Sequence, residues 1–275
     1  LQNNSFAKGL PPGTGESDIP ANVLILLDKS GSMTTGMGAS GIDMPQSIAI
    51  DSSTGDFFIA NQGNNMIKYK YDTLSLDMDW SGGEYTGTGN CALNEVLELR
   101  IHGGKIYVIN NGNNRLFRLD LTTAACDWDI EITDPRAMDI QNDILYAFGN
   151  NMKIYDLSSS TPTQVTGCKY KNNLKSVGKE AISAAVDSSG ENLYLFDFNT
   201  IHRFEIDTDK CPKKSRSAQW NTGTLVECFS MRFQPGSDTI LYAVQYWDKF
   251  HKYTLNSNKD GFASKVSLPR CAVPK

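Results

Sequence analysis

Residues 47–72 read SIAIDSSTGDFFIANQGNNMIKYKYD, and this stretch contains one complete structural unit. A short strand of small and aliphatic residues runs to Asp51. A turn built from Ser52, Ser53, Thr54 and Gly55 follows, and these residues tolerate positive φ or bond their own backbone. Next come an aromatic strand from Phe57, a polar tip, and a third strand in which Met66-Ile67-Lys68-Tyr69-Lys70-Tyr71 alternates with period two, the mark of a half-buried strand. The same order recurs at VLELRIHGGKIYVINNGNNRLFRLDL (96–121), RAMDIQNDILYAFGNNMKIYDL (136–157), ISAAVDSSGENLYLFDFNTIHRFEID (182–207) and CFSMRFQPGSDTILYAVQYWDKFHKYTL (228–255). A weaker fourth run trails each copy: Leu76 to Trp80, Cys126 to Ile132, Pro162 to Cys168, Ser215 to Trp220 and Phe262 to Leu268.

Copies that begin at 47, 96, 136, 182 and 228 have the spacing of four-stranded propeller blades. No helical period of useful length interrupts them. The expected fold is therefore an all-β propeller of five four-stranded blades over residues 45–275, with the first strands innermost. A sixth, partial blade is admissible if the N-terminal strand seeds one. The tips NQGNNMI and NNGNNRL, the segment Pro45-Gln46-Ser47-Ile48-Ala49-Ile50-Asp51 and the tetrapeptide Gly112-Asn113-Asn114-Arg115 resemble the NHL-repeat family. That resemblance implies a propeller over roughly residues 45–270. It implies no single activity, because such propellers include enzymes, binders and scaffolds.

The chain has 275 residues and a formal net charge of −5, with 21% charged and 10% aromatic residues, 23 Gly and 10 Pro. This is a turn-rich globular composition, with no general attraction to nucleic acid or to an anionic membrane surface. The local basic group Lys210, Lys213, Lys214 and Arg216 reads as a solvated hairpin. No apolar run approaches the roughly 18 residues needed to span a bilayer. A start at Leu1 without a basic and apolar leader reads as a mature or trimmed product.

Six cysteines, at 91, 126, 168, 211, 228 and 271, form no C-x-x-C pair. Their dispersal suggests disulfides and an oxidising compartment, so an extracellular or cell-surface location is expected. If blade seams bring cysteines together, the favoured set is Cys91–Cys126, Cys168–Cys211 and Cys228–Cys271, one of fifteen possible sets. Asn3 heads the sequon Asn3-Asn4-Ser5, a glycosylation candidate.

Residues 1–44 read as an extended Pro/Gly-rich arm carrying one apolar strand, Val23-Leu24-Ile25-Leu26-Leu27, that is apolar on both faces. This strand followed by Asp28, Ser30 and Ser32 resembles the first metal-coordinating segment of the von Willebrand type A domain. The resemblance implies Mg²⁺ or Ca²⁺ held in part by those three side chains. The Gly-rich run after Met33 leaves no room for the helices and parallel strands of that domain. A structural remnant without a cofactor is therefore the expectation. An unpaired apolar strand exposes backbone groups and apolar surface. It can seed an extra blade, fold back on its own propeller, or add to a sheet of a neighbouring copy. Head-to-tail donation does not close, and so yields a filament.

For catalysis the candidates are thin. His202 and His251 fall in third strands, away from the channel, and His102 is the only other histidine. Asp51, Asp139 and Asp187 recur near the ends of first strands, where they line a channel mouth or cap turns. No nucleophile elbow, phosphate loop or His-Glu-x-x-His is present. The expected function is a non-enzymatic extracellular structural or adhesive subunit whose partners are other copies of itself. One alternative is a monomeric module for a cell-surface or glycan ligand with the strand self-paired. The other is a metal-dependent lactonase- or lyase-like propeller.

Overall fold

A computed structural model describes residues 45–268 other than 62–63, 74, 151, 169–176, 179, 198–199, 214–217, 222–227 and 246–248. The arm, the apolar strand 23–27, Asp28, Ser30, Ser32, Asn3 and Cys271 lie outside the described residues.

Five antiparallel four-stranded sheets follow one another along the chain. Blade one holds β1 (Pro45–Ile50), β2 (Phe57–Asn61), β3 (Met66–Lys70) and β4 (Ser75–Leu76). Blade two holds β5 (Val96–His102), β6 (Lys105–Asn110), β7 (Arg115–Asp120) and β8 (Cys126–Glu131). Blade three holds β9 (Ala137–Gln141), β10 (Ile144–Phe148), β11 (Lys153–Asp156) and β12 (Thr163–Gln164). Blade four holds β13 (Ser183–Val186), β14 (Asn192–Asp197), β15 (Thr200–Glu205) and β16 (Ala218–Asn221). Blade five holds β17 (Cys228–Phe233), β18 (Ile240–Gln245), β19 (Lys249–Leu255) and β20 (Phe262–Leu268). The protein is a five-bladed propeller.

Two fourth strands are much shorter than their sequence suggested. β4 stops at Leu76, and Trp80 instead opens a 3-10 turn over Trp80–Gly83. β12 spans Thr163–Gln164 only. The outer strand of a blade has one sheet neighbour, so its apolar residues can leave the ladder when a seam offers them better burial. Trp80 does this: it is buried against Phe58 with ring centroids 5.2 Å apart, and its indole N–H donates to the Leu121 carbonyl of blade two at 3.0 Å.

The core is divided among the seams between blades, because the sheets of blades two, three and four bury both faces. In the second strands, residue parity decides which seam is served. Ile106 and Val108 of β6 pack with blade one, whereas Tyr107 and Ile109 pack with blade three. Leu145 and Ala147 of β10 face blade two, and Tyr146 and Phe148 face blade four. Leu193 and Leu195 of β14 join blade three's cluster while Tyr194 and Phe196 join that of blade five. Burial on both sides explains why these strands read as continuous apolar runs. A polar tie also crosses each of these seams. Besides Trp80, Arg118 Nη2 donates to Ser160 O at 2.8 Å, Tyr146 Oη to Lys210 O at 3.2 Å and Tyr194 Oη to Lys259 O at 3.3 Å. In every case the acceptor is the turn after the next blade's third strand.

Cys91–Cys126 and Cys168–Cys211 are disulfide-bonded, with Cα separations of 6.3 and 5.5 Å. The first ties the blade-one connection to β8, and the second ties the connection after β12 to the turn after β15. The third expected pair includes Cys271 and lies outside the described residues. The bridges join residues 35 and 43 apart in sequence. Replacing Cys91 and Cys126 together by Ser should cost about 2–5 kcal/mol, chiefly by freeing the unfolded chain. Urea unfolding of the variant checks this, and an unchanged midpoint would show that the bridge does not constrain the chain.

Candidate functional site: the propeller axis

The innermost strand of a blade has one hydrogen-bonding edge without a sheet neighbour, so its N–H groups need other acceptors. Side chains of the preceding blade supply them. Ser47 Oγ accepts from Leu99 N at 2.9 Å, Glu98 Oε2 from Met138 N at 2.6 Å, Asp139 Oδ2 from Val186 N at 2.7 Å, and Ser183 Oγ from Met231 N at 2.9 Å. Four consecutive seams are thus stitched by the same device, with Ser at two of them and a carboxylate at the other two.

The two carboxylates bring charge to the axis, and two arginines answer it. Arg100 Nε donates to Asp139 Oδ1 at 3.3 Å, its Nη2 to Glu98 Oε1 and, at 3.1 Å, to Met138 O. Arg232, from blade five, donates through Nη2 to the same Glu98 Oε1. Its Nη1 is fixed on the carbonyls of Ala184, at 3.1 Å, and Met231. Blades two and five are not neighbours in the ring, so this last ion pair crosses the axis. Glu98 and Asp139 are 8% and 9% exposed, buried enough that removing either partner leaves charge in a poorly solvating place.

Burial pushes both carboxyls up, to about 7 for Glu98 and about 6 for Asp139, with Arg100 opposing the shift in each. A carboxyl raised in the folded state binds its proton more tightly folded than unfolded. Its stabilising contribution is therefore present below about pH 4 and lost progressively as the pH rises to its folded pKa. Asp120 acts in the opposite sense. The backbone N–H of Thr123 and the Lys105 ammonium hold it well below the usual carboxylate range, so its contribution is lost as the pH falls through that depressed value. Thermal unfolding should therefore show a maximum near pH 4–5 and a decline toward pH 8. Glu98→Gln with Asp139→Asn should flatten that decline, and a melting temperature rising steadily from pH 5 to 8 in the wild type would contradict the assignment.

Of the three aspartates near first-strand ends, two cap turns. Asp51 accepts from Ser53 N at 2.9 Å, Ser53 Oγ at 2.7 Å and Thr54 Oγ1 at 3.0 Å. Asp187 accepts from Glu191 N, Asn192 N, Asn192 Nδ2 and Lys259 Nζ. Asp139 is not their equivalent. It pairs with Tyr146, as Arg100 does with Tyr107 and Ala49 with Phe58, which places it inside the strand. His202 is buried in β15 against Asp197 Oδ2 at 2.6 Å, and His251 of β19 bonds Ser267 Oγ at 3.1 Å. His102 ends β5 and contacts Asp143 Oδ1 at 2.6 Å. Among the described residues, no three His, Cys, Asp or Glu side chains stand together as a metal-ligand set. Sequence reasoning missed Glu98, Arg100 and Arg232. The available signal was charge placed inside first strands whose counterparts are small or aliphatic.

The geometry defines a five-bladed β-propeller with an ionic cluster among its innermost strands. No known family model matches the chain, and no curated protein does. Solved structures share the fold at low identity. A functionally unknown protein from Desulfotomaculum acetoxidans DSM 771 aligns with a TM-score of 0.60 and 13% identity, over 82% of this chain and 72% of that one. Kuenenia stuttgartiensis hydrazine synthase gives 0.58 and 13%, over 86% and 69%. A chain of the mitotic checkpoint complex gives 0.57 and 10%, over 82% of this chain and 63% of that one. At such identities the likeness concerns architecture alone. The two disulfides fit a non-cytoplasmic protein, and no helix among the described residues is long and apolar enough to cross a membrane.

Proposed function

We propose that this chain is an extracellular structural or adhesive subunit, an NHL-like propeller without catalytic activity, which assembles with copies of itself through the strand Val23–Leu27. The observation that carries the reading is the axis. Both carboxylates and both guanidinium groups there are committed to one another and to backbone groups of neighbouring blades. The place where a propeller would gather reactive groups instead holds the ring together. The type A-like segment then serves as a donor strand, with Asp28, Ser30 and Ser32 as its remnant turn. Donation to the next copy buries both apolar faces and satisfies the backbone. Light scattering and negative-stain microscopy of the purified chain test the proposal. Head-to-tail oligomers or filaments are expected. A stable monomer at high concentration, with residues 1–33 resistant to protease, would favour a self-paired, monomeric binding module instead.

A further inference from the structure

Residues 77–95, between β4 and β5, form a long ordered connection where the equivalent link between β8 and β9 is only residues 132–136. Long ordered loops on a rigid scaffold are common places for binding. This one is held from several sides. Tyr85 and Met66 exchange backbone hydrogen bonds at 2.7 and 2.8 Å, Leu93 N donates to Thr86 O at 2.8 Å, and Tyr85 Oη donates to Cys91 O at 3.1 Å. The Cys91–Cys126 disulfide then locks the loop to blade two. At Gly87 (φ +72°) a Cβ would lie 2.0 Å from Cys91 O, so only glycine permits the crossing.

Between this loop and the turn before β8 lies a shallow depression, open to solvent, of about 450 Å³. Its walls include Ser81, Glu84, Tyr85, Thr86, Thr88 and Ala124. Ser81 and Ala124 both hold the left-handed conformation, with φ of +50° and +58°. Non-glycine residues rarely adopt it unless the surroundings enforce it. Glu84 Oε2 accepts from Asn65 Nδ2 at 2.9 Å. Its other oxygen and the hydroxyls of Ser81, Thr86 and Thr88 have no side-chain partner among the described residues, and all four side chains are exposed to solvent. No basic side chain lines the depression.

We infer that this depression binds a neutral sugar ring. Several hydroxyls able both to donate and accept, beside one carboxylate oxygen that can accept from a vicinal diol, match a polyhydroxylated neutral ligand. The carboxylate with no compensating cation disfavours anionic ligands. The disulfide and the loop's own hydrogen bonds keep the walls in place before the ligand arrives, which limits the ordering cost of binding. The site stands at the rim of the seam between blades one and two, and does not depend on the assembly strand.

The test uses the full chain with glucose, galactose, mannose and N-acetylglucosamine as separate probes, read by saturation-transfer NMR and calorimetry. At least one should bind with a Kd of about 0.1–10 mM, the range open to a ligand of this size. Glu84→Gln, which can still accept from Asn65, and Thr86→Val, which keeps the side-chain shape, should each weaken that binding about tenfold, a change of about 1.4 kcal/mol. Both variants should melt at the wild-type temperature. Failure of all four sugars to bind below about 10 mM, or binding unaltered in both variants, would overturn the inference. Light scattering of the same samples reads assembly separately, so either proposal can fail alone.

Discussion

Replacing Arg100 by Ala should destabilise the folded protein by about 3–5 kcal/mol at pH 8, the cost of leaving buried charge without its partner. Arg100 touches both Glu98 and Asp139 and also bonds the Leu99 and Met138 carbonyls. Its loss therefore leaves Asp139 without an ion-pair partner, leaves Glu98 with one guanidinium in place of two, and removes a donor from two carbonyls. Arg232 would still reach Glu98, but it makes no contact with Asp139. The loss should shrink at pH 5, where both carboxyls take up protons and need no counter-charge. Adding Glu98→Gln and Asp139→Asn should recover much of the stability at pH 8, because the amide oxygens can still accept from Met138 N and Val186 N. Urea unfolding of the single and triple variants at the two pH values decides the matter. A loss under 1 kcal/mol at pH 8, or one equal at both pH values, would mean that the cluster is solvated and does not hold the ring.

The second large effect concerns assembly. Changing Leu24 and Leu26 together to Asp should leave a folded propeller that no longer associates. Five aliphatic side chains, Val23 to Leu27, each contribute about 1.5–3 kcal/mol when fully buried, and an added strand also gains ladder hydrogen bonds. Two unpaired carboxylates on one face of a buried strand oppose this by several kcal/mol. Under donation, that cost falls on the contact between copies, so the variant should be monomeric with the melting temperature of the wild-type protomer. A variant that unfolds as a monomer would instead show that the strand belongs to its own propeller. Light scattering with calorimetry on the same sample distinguishes the two.

The blades were legible because their signal is local. A turn with residues that accept positive φ, then an aromatic strand, then an alternating strand, recurs whether or not the ring around it is known. The observed first strands, β1, β5, β9, β13 and β17, accordingly lie within two or three residues of the positions the repeat implied. Fourth strands were less legible, because an outer strand competes with the seam for its apolar residues, and Trp80 was drawn into the seam. The two disulfides among the described residues could be anticipated from blade order, since sequence places those cysteines beside adjoining seams.

The axial cluster could not be read in the same way. Glu98, Arg100, Asp139 and Arg232 come from three blades, and Glu98 and Arg232 meet although 134 residues apart in sequence. Only the arrangement of the blades around a common axis brings such residues within hydrogen-bonding distance. Register mattered as much: Asp51, Asp139 and Asp187 look alike in one dimension, yet strand pairing puts Asp139 two positions deeper than the others' turns. The depression beside Glu84 likewise depends on a loop from blade one meeting a turn from blade two. Local chemistry determined the repeat, the turns and the capping aspartates. Long-range packing decided which charged groups share a low-dielectric space, because that depends on distance in three dimensions and not on order along the chain.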